Sequence, residues 1–444
     1  MNKKKLYIET YGCQMNFSDS EIVASILKEN DYSLTTDTRE ASLILVNTCS
    51  IREKAEERVW KRLRELKSLK KKNPGLKIGV IGCMAERLHE KLLAPEHGVD
   101  LVAGPDAYRT LPFLVEQTAA GAQAANIQLS LEETYADIEP VRLDPSGVTA
   151  FVSIMRGCNN FCAYCVVPFT RGRERSRNPR TILEEVRHLF EQGYREVTLL
   201  GQNVNSYQYN NEDETSIGFP DLMAMVASID PRLRVRFTTS HPKDLSDQLI
   251  EVIAAYPNIC RSIHLAVQSG SNAVLKRMNR KYTREWFLDR VNAIRNQIPD
   301  CTISTDIIAG FCGETEEDHR HTLSLMEEVK FDAAFMFRYS EREGTLAAKK
   351  YKDDVPEEIK ARRLQEIIDL QHKHSLASNR ADVGKTFEVL AEKFSKRNKS
   401  MLSGRNSQNK VVVFKTENVK PGDYVNVRIT GCTAATLIGE QVTQ

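Results

Sequence analysis

Long apolar runs are missing from this 444-residue chain; none approaches the ~18 residues that a membrane-spanning helix needs. An excess of one charge is missing too. With 62 Lys+Arg against 60 Asp+Glu the net charge is +2, so any nucleic-acid surface has to come from local clustering. The opening MNKKKLYIET sets its lysines before a strand-like segment, where a secretory leader would carry an apolar core. Low-complexity tracts are lacking, and a composition 41% hydrophobic and 27% charged excludes disordered and collagen-like chains. These absences point to a cytoplasmic protein with no membrane partner. At roughly 150 residues per domain it has about three domains. Thiols stay reduced in that compartment, so ten cysteines read as metal ligands or buried thiols rather than as disulfides.

What is present is α/β alternation. Over residues 4–120 the strand-like runs LYIETYGC, ASLILVNTC, LKIGVIGC and VDLVAG are separated by helical stretches, which predicts a βαβ parallel-sheet domain. Ser18 and Glu21 have the spacing of a capping box. Residues 121–147 lose the rhythm, carry Pro140, Pro145 and Gly147, and read as a linker. From 144 to 374 six βα units (TAFVSIMRG, REVTLLGQN, LRVRFTTS, RSIHLAVQS, CTISTDIIAG, FDAAFMFRYS) predict a partial TIM-like (βα)6 barrel. Its active groups are expected at the C-terminal strand ends. Residues 377–440 turn to short strands such as KVVVFKT and DYVNVRITG, which predicts a small antiparallel β-barrel.

The cysteines sort by position. Cys158, Cys162 and Cys165 form CxxxCxxC directly after the first barrel strand. Three thiolates on one loop can ligate three irons of a [4Fe–4S] cube and leave the fourth open to a small molecule. Structural zinc is the bland alternative, but it takes four ligands and no fourth Cys or His lies nearby. Cys13, Cys49 and Cys83 each end a predicted parallel strand, 36 and 34 residues apart. Ligands of open α/β sheets gather outside the carboxyl ends of strands, so these three converge on a second three-cysteine site. Three unrelated buried thiols are the competing reading. Cys260, Cys301, Cys312 and Cys432 show no such pattern and are assigned to packing.

Polar residues recur on five successive barrel strand ends: Gln202 and Asn203, Ser240 and His241, Gln268 and Ser269, Asp306 and Glu314, Arg338 and Tyr339. They suit ribose hydroxyls, a carboxylate or adenine edges, and none is expected to act as an acid–base catalyst. RGRERSRNPR (171–180) holds five arginines and one acid, with Arg171, Arg173 and Arg175 nearest the loop. Residues 391–420 hold eight Lys/Arg, among them Lys396, Arg397 and Arg405, against two acids, interleaved with Phe394 and Phe414. Clustered cations and aromatics on a small barrel suit single-stranded RNA. The basic helix at 52–72 reads as solvated surface.

Tyr164 just before the last loop cysteine, together with YGCQMNFSDSE, NTCSIREKAEER, GCMAER, RGCNNFCAYCVVPFTRGRERSR, GQNVNSY, TTSHPKD and STDIIAGF, resembles the methylthiotransferase branch of the radical S-adenosylmethionine (SAM) enzymes. The resemblance covers nearly the whole chain and makes the last domain a TRAM barrel. Ala266 and Cys312 stand where that branch has proline. The resemblance implies two [4Fe–4S] clusters, one on Cys158, Cys162 and Cys165 that binds SAM and yields a 5′-deoxyadenosyl radical, with Tyr164 and the strand-end residues around the cofactor. The other, on Cys13, Cys49 and Cys83, would carry the sulfur. It implies a monomer that uses two SAM to add a methylthio group at position 2 of isopentenyladenosine 37. The substrate would be a tRNA anticodon stem-loop with the base unstacked. An electron donor such as flavodoxin or ferredoxin and a sulfur or cluster supply protein would be partners. Sister enzymes acting on threonylcarbamoyl-adenosine tRNA or on a ribosomal protein aspartate share the cluster arguments. A non-catalytic iron–sulfur RNA-binding protein is the reading from another class.

Overall fold

The computed structural model describes residues 3–49, 53–144, 146–211, 214–395, 398, 400–416 and 418–442. They form two units, Met1–Leu143 with Ser153–Phe161 and Cys165–Thr181, and Asp144–Val152 with Cys162–Tyr164 and Ile182–Gln444. The three-cysteine loop is thus shared between units, and the expected second and third domains largely fall in one.

The first unit is built on a six-stranded parallel sheet of β1 (Lys4–Tyr11), β2 (Tyr32–Leu34), β3 (Leu43–Thr48), β4 (Lys77–Ile81), β5 (Leu101–Ala103) and β6 (Ala124–Asn126), in the order β2-β1-β3-β4-β5-β6. Helices α1 (Gln14–Glu29), α2 (Glu53–Lys70), α3 (Cys83–Leu92) and α4 (Leu111–Ala119) connect them. Strand β3, LILVNT, is buried along its whole length, as a central strand covered on both faces must be. Two expectations fail here. Residues 121–147 are not a free linker. Ala124–Asn126 adds the sixth strand, and Tyr135 is buried with its hydroxyl donating to the Pro105 carbonyl. Nor do Ser18 and Glu21 cap a helix. Cys13 takes the N-cap position, so both lie inside α1, and the Glu21 carboxylate receives Arg142 instead. The first unit also holds β8 (Met155–Arg156) paired with β9 (Arg175–Ser176), and the short α5 (Val167–Thr170).

The second unit holds the six parallel barrel strands: β7 (Thr149–Ser153), β10 (Glu196–Leu200), β13 (Arg234–Phe237), β14 (Ser262–His264), β15 (Thr302–Ala309) and β16 (Ala333–Arg338). A small hairpin, β11 (Gln208–Asn210) with β12 (Ser216–Gly218), interrupts the run. The sheets β7-β10-β13 and β14-β15-β16 are joined by the parallel bridges Ser240↔Leu265 and Val235↔Ile259, so six strands form one curved but open wall. Helices α6 (Pro179–Glu191), α7 (Phe219–Ala227), α8 (Asp247–Ala255), α9 (Asn272–Arg277), α10 (Arg284–Gln297), α11 (Glu316–Val329), α12 (Leu346–Lys350) and α13 (Glu357–Arg380) complete the repeat. On β15, Ile303, Thr305 and Ile307 are buried while Ser304, Asp306 and Ile308 are half-exposed. One face therefore packs on helices and the other lines an open lumen.

Helix α13 runs through the expected boundary at 374–377 into a closed five-stranded barrel of β17 (Thr386–Phe394), β18 (Met401–Asn406), β19 (Val411–Lys415), β20 (Tyr424–Cys432) and β21 (Leu437–Gln441). Its strands are antiparallel except for the β19–β21 pair. Arg234 donates to the Arg405 and Glu388 carbonyls at 2.7 and 3.0 Å, and Arg236 to that of Asn406 at 2.7 Å. The Tyr424 hydroxyl donates to the Arg195 and Arg232 carbonyls, and Thr302 to that of Gln408. The small barrel is thus fastened to the N-terminal ends of β10, β13 and β15.

Candidate functional site

In the first unit, strand register brings the three separated cysteines together. Tyr11 pairs with Thr48 and Asn47 with Ile81, so β1, β3 and β4, neighbours in the sheet, end level with one another. Cys13, Cys49 and Cys83 follow within two residues of those ends. Gly12 makes the close approach possible. Its φ is +125°, and a Cβ there would lie 2.3 Å from that of Cys49. Beneath the thiols runs an amide network: Cys13 Sγ donates to Asn16 Oδ1 at 3.1 Å, Asn16 Nδ2 to Asn47 Oδ1, and Asn47 Nδ2 to Ser20. A hydrogen bond with Cys49 draws the Cys13 thiol down to about 6 against its burial, with Arg171 adding its charge. Burial pushes Cys83 up, opposed by Arg171.

Arg171 is a correction. Far from meeting RNA, it is 2% exposed and donates from Nε to Cys83 Sγ at 3.2 Å and from Nη2 to Asp19 at 2.6 Å. Asp19 also receives Arg156 at 2.8 Å and the Tyr108 hydroxyl at 3.2 Å. Burial alone would raise the Asp19 carboxyl, but Arg156 and Arg171 hold it below its ordinary range. Arg175 is likewise buried, paired with Asp106 at 2.9 Å. Three buried guanidiniums therefore face two carboxylates, and the surplus positive charge sits beside three thiols that can be anions. Only Arg173 of the expected trio is exposed, its guanidinium 5.0 Å over the Phe161 ring.

In the CxxxCxxC loop Cys158 and Cys162 are buried and Cys165 is half-buried. Gly157, at φ +75°, lets the loop lie against the following turn, where a Cβ would sit 2.0 Å from the Arg173 carbonyl oxygen. The Val167 amide donates to Cys165 Sγ at 3.5 Å, and the buried Arg280 donates to Cys162 Sγ at 3.2 Å. N–H donors aimed at sulfur favour thiolates. Arg280 also reaches the Tyr164 hydroxyl and the Ala266 carbonyl. A cube takes one thiolate per iron, and the cysteines that follow β1, β3 and β4 supply three.

The barrel's C-terminal strand ends hold a second signal. Gln202 Oε1, Ser240 Oγ, His241 Nε2 and both amide atoms of Asn205 are buried without a hydrogen-bond partner. Such orphans are rare, and here they fall in two neighbouring loops that a polar ligand would satisfy. His241 Nδ1 accepts from the Lys243 amide, so Nε2 carries the proton, and burial keeps the ring neutral. Backbone strain sits alongside: Thr239 at φ +72° and Gln268 at +70°. Asn203, however, is spent internally, donating to Asp244 at 2.7 Å and accepting the His241 amide. Ser269 and Glu314 also have internal partners, Thr322 and Arg363. Asp306 lies on the lumen face with Oδ2 3.3 Å from His264 Nε2. Arg338 is exposed and pairs with Glu357 at 3.3 Å. Asn205 and His264 escaped the sequence reading, although both stand inside the segments quoted above.

The departures from proline have local meanings. The Ala266 amide donates to the Ser240 carbonyl at 3.3 Å, a bond proline would remove, and Cys312 fills a core with Phe311 and Tyr339. Cys260 is buried as expected. In the small barrel Phe414 is core rather than surface, and Arg405 is paired with Glu392 at 3.2 Å. Lys396 and Arg397 lie outside the described residues, while Lys393, Phe394 and Lys415 are exposed.

Comparison with known proteins agrees with this layout. Residues 5–104 match the uncharacterized protein family UPF0004, 152–326 the radical SAM superfamily and 380–442 the TRAM domain. The radical SAM methyltransferase TsrM from Kitasatospora setae superposes with a TM-score of 0.58 at 14% identity, covering 78% of this chain and 77% of that one. The cobalamin-dependent SAM radical enzyme OxsB follows at 0.52 and 12%, covering 84% and 56%. Both show the fold alone. The tRNA-2-methylthio-N(6)-dimethylallyladenosine synthase of Amoebophilus asiaticus is 57% identical over 452 residues, 99% of this chain and 93% of that one. That of Bacteroides fragilis is 57% identical over 441 residues, 99% and 96%. Identity of that depth from end to end, over a three-part chain with two cysteine sets at strand ends, places this protein in the tRNA-2-methylthio-N(6)-dimethylallyladenosine synthase family.

Proposed function

We infer that this protein is a radical SAM methylthiotransferase that modifies isopentenyladenosine in tRNA, at position 2 of adenine 37, with SAM and two [4Fe–4S] clusters as cofactors. The observation that carries this reading is the level ending of β1, β3 and β4 at Cys13, Cys49 and Cys83, a donor set separate from the CxxxCxxC loop. Cys13, Cys49 and Cys83 would hold the sulfur-carrying cluster, and Cys158, Cys162 and Cys165 the one at which SAM is cleaved. When bound, the clusters supply the electron and the sulfur for two SAM per product. The chain's own residues position and shield. Gln202, Asn205, Ser240 and His241 offer the unpaired polar atoms for SAM, and Tyr164 and Arg280 steady the loop. Asp306 with His264 lines the lumen, and Gln268 and Arg338 stand at its rim.

For the RNA, Arg173 stacked on Phe161, with Phe169 41% exposed and edge-on to Phe161, forms an aromatic and cationic platform beside the cysteine loop. Lys393, Phe394 and Lys415 offer a further patch on the terminal barrel, where Lys396 and Arg397 belong by sequence. A monomer in the cytoplasm, served by a flavodoxin- or ferredoxin-like donor and a sulfur or cluster supply protein, completes the reading. Among the described residues no helix is long and apolar enough to cross a membrane.

The test is mass spectrometry of nucleosides from isopentenylated tRNA after anaerobic incubation with reconstituted protein, SAM and reductant. Methylthio-isopentenyladenosine should form, and should vanish in Cys158→Ala and Cys49→Ala. Product formation by Cys49→Ala at reduced iron content would refute the sulfur-carrier assignment. Arg173→Ala should weaken tRNA binding and lower the salt slope by about one, whereas Arg175→Ala should leave that slope unchanged.

A further inference from the structure

Arg171 has more donors than the protein satisfies. Nε is used by Cys83 and Nη2 by Asp19, but Nη1 is buried with no hydrogen-bond partner, in a residue only 2% exposed. A guanidinium N–H left unpaired in the interior is costly, and native proteins keep one where a ligand supplies the acceptor. The surrounding charge says what kind. Arg156, Arg171 and Arg175 outnumber Asp19 and Asp106 before the thiols ionise, so an anionic acceptor is favoured there over a cationic one. Chain geometry limits its size. Gly12 leaves no room for a Cβ against Cys49, and the Asn16–Asn47 network fills the space under Cys13. The thiols themselves say that the ligand belongs with soft, sulfur-liganded metal chemistry.

The geometry points to Arg171 as the anchor of a small monoanionic sulfur ligand, a hydrosulfide or methanethiolate, at the Cys13, Cys49 and Cys83 site, with Nη1–H as its donor. Arg171 is then a positioning residue for the sulfur that the enzyme transfers, and Asp19 holds it in place. This rests on the sulfur-carrier reading above. It adds that the sulfur is held by the protein as well as by the metal.

Full-length protein carrying Cys158→Ala, Cys162→Ala and Cys165→Ala leaves one cysteine set to load. After anaerobic reconstitution, iron per chain is measured. Carbon-13 methanethiolate is then titrated and followed by its hyperfine coupling in the reduced state. Arg171→Gln in this background should weaken the apparent affinity by roughly tenfold to a hundredfold, the range of one charge-assisted hydrogen bond. Arg171→Lys keeps a cation opposite Asp19 but not the three-nitrogen fork, and should weaken it several-fold. A loaded variant that binds as tightly as its parent overturns the inference. If Arg171→Gln takes up too little iron to titrate, Arg171→Lys decides; failure of both to load makes Arg171 a structural residue and also overturns it. A parent that takes up no iron removes the sulfur-carrier reading itself, and the inference with it.

Discussion

Asp19→Asn is the sharpest test of the buried charge network. The substitution keeps the shape of a side chain that is fully enclosed and removes the one carboxylate shared by Arg156 and Arg171, at 2.8 and 2.6 Å. Breaking a buried pair by deleting one partner costs about 3–5 kcal/mol, because the surviving charge stays behind unpaired. Here Arg171 is left without a carboxylate, while Arg156 keeps Asp106 at 3.6 Å. The loss should fall within that range, about 3–5 kcal/mol, against a total of about 5–15 kcal/mol for a domain. Arg171→Gln removes the surplus cation and leaves Asp19 paired with Arg156, so in metal-free protein it should cost far less, about 1–2 kcal/mol. The chain has two tryptophans, and Trp60 lies in the first unit, so urea unfolding followed by its fluorescence in a Trp286→Phe background isolates the relevant transition. The pH dependence has a defined sign. The Asp19 carboxyl lies below its ordinary 3.8 in the folded state, so its contribution is full above that value and fades as pH falls through the native one. The gap between parent and Asp19→Asn should therefore narrow in acid. Equal urea midpoints for parent and Asp19→Asn at pH 7, or a larger loss from Arg171→Gln than from Asp19→Asn, would refute the charge accounting.

Three further outcomes follow from single sites. Gly12→Ala forces a Cβ to within 2.3 Å of Cys49 at φ +125°; it should cost at least about 2 kcal/mol and lower iron per chain in a colorimetric assay. Burial, then Asp106, pushes the Glu86 carboxyl up to about 8, and its Oε2 has no partner. From pH 4.5 to 8 the unfolded chain ionises there while the folded one does not, so Glu86 erodes stability across that window and by a constant amount above it. Glu86→Gln should match the parent at pH 4 and exceed it by about 1–2 kcal/mol at pH 8 in thermal melts, well under half of the full conversion because the side chain is partly exposed. Arg280→Gln deletes the cationic donor to Cys162; if the proposed cluster sits on that loop, an EPR-monitored titration should find it harder to reduce by roughly 60–120 mV, the one-electron equivalent of a charge-assisted hydrogen bond.

The parts legible in the sequence were those with local signatures. Apolar runs of β length ending in Cys13, Cys49 and Cys83 located three neighbouring strands, and the barrel strands followed from their own period. The buried charges were not legible. RGRER has the composition of a solvated surface, and the reason Arg171 and Arg175 turn inward is Asp19 and Asp106, 152 and 69 residues away. Ser18 and Glu21 misled because a strand-end cysteine had already started the helix at Gln14. The strand Met401–Asn406 carries no signature of its own, because SGRN lacks β-formers and only pairing on both sides makes it a strand.

The fastening of the terminal barrel has a consequence for which substrates qualify. Arg234, Arg236, Thr302 and Tyr424 lock it to the end of the strands opposite the one that carries Gln202, Ser240 and His241. Along β15 the eight residues from Thr302 to Ala309 span about 25 Å. An RNA gripped by one end and presented to the other has to supply that span itself, since the protein's two jaws are fixed. On the function proposed above, the second unit would act as a caliper, sensing the distance between a held stem and a reacting base before any chemistry reads the base.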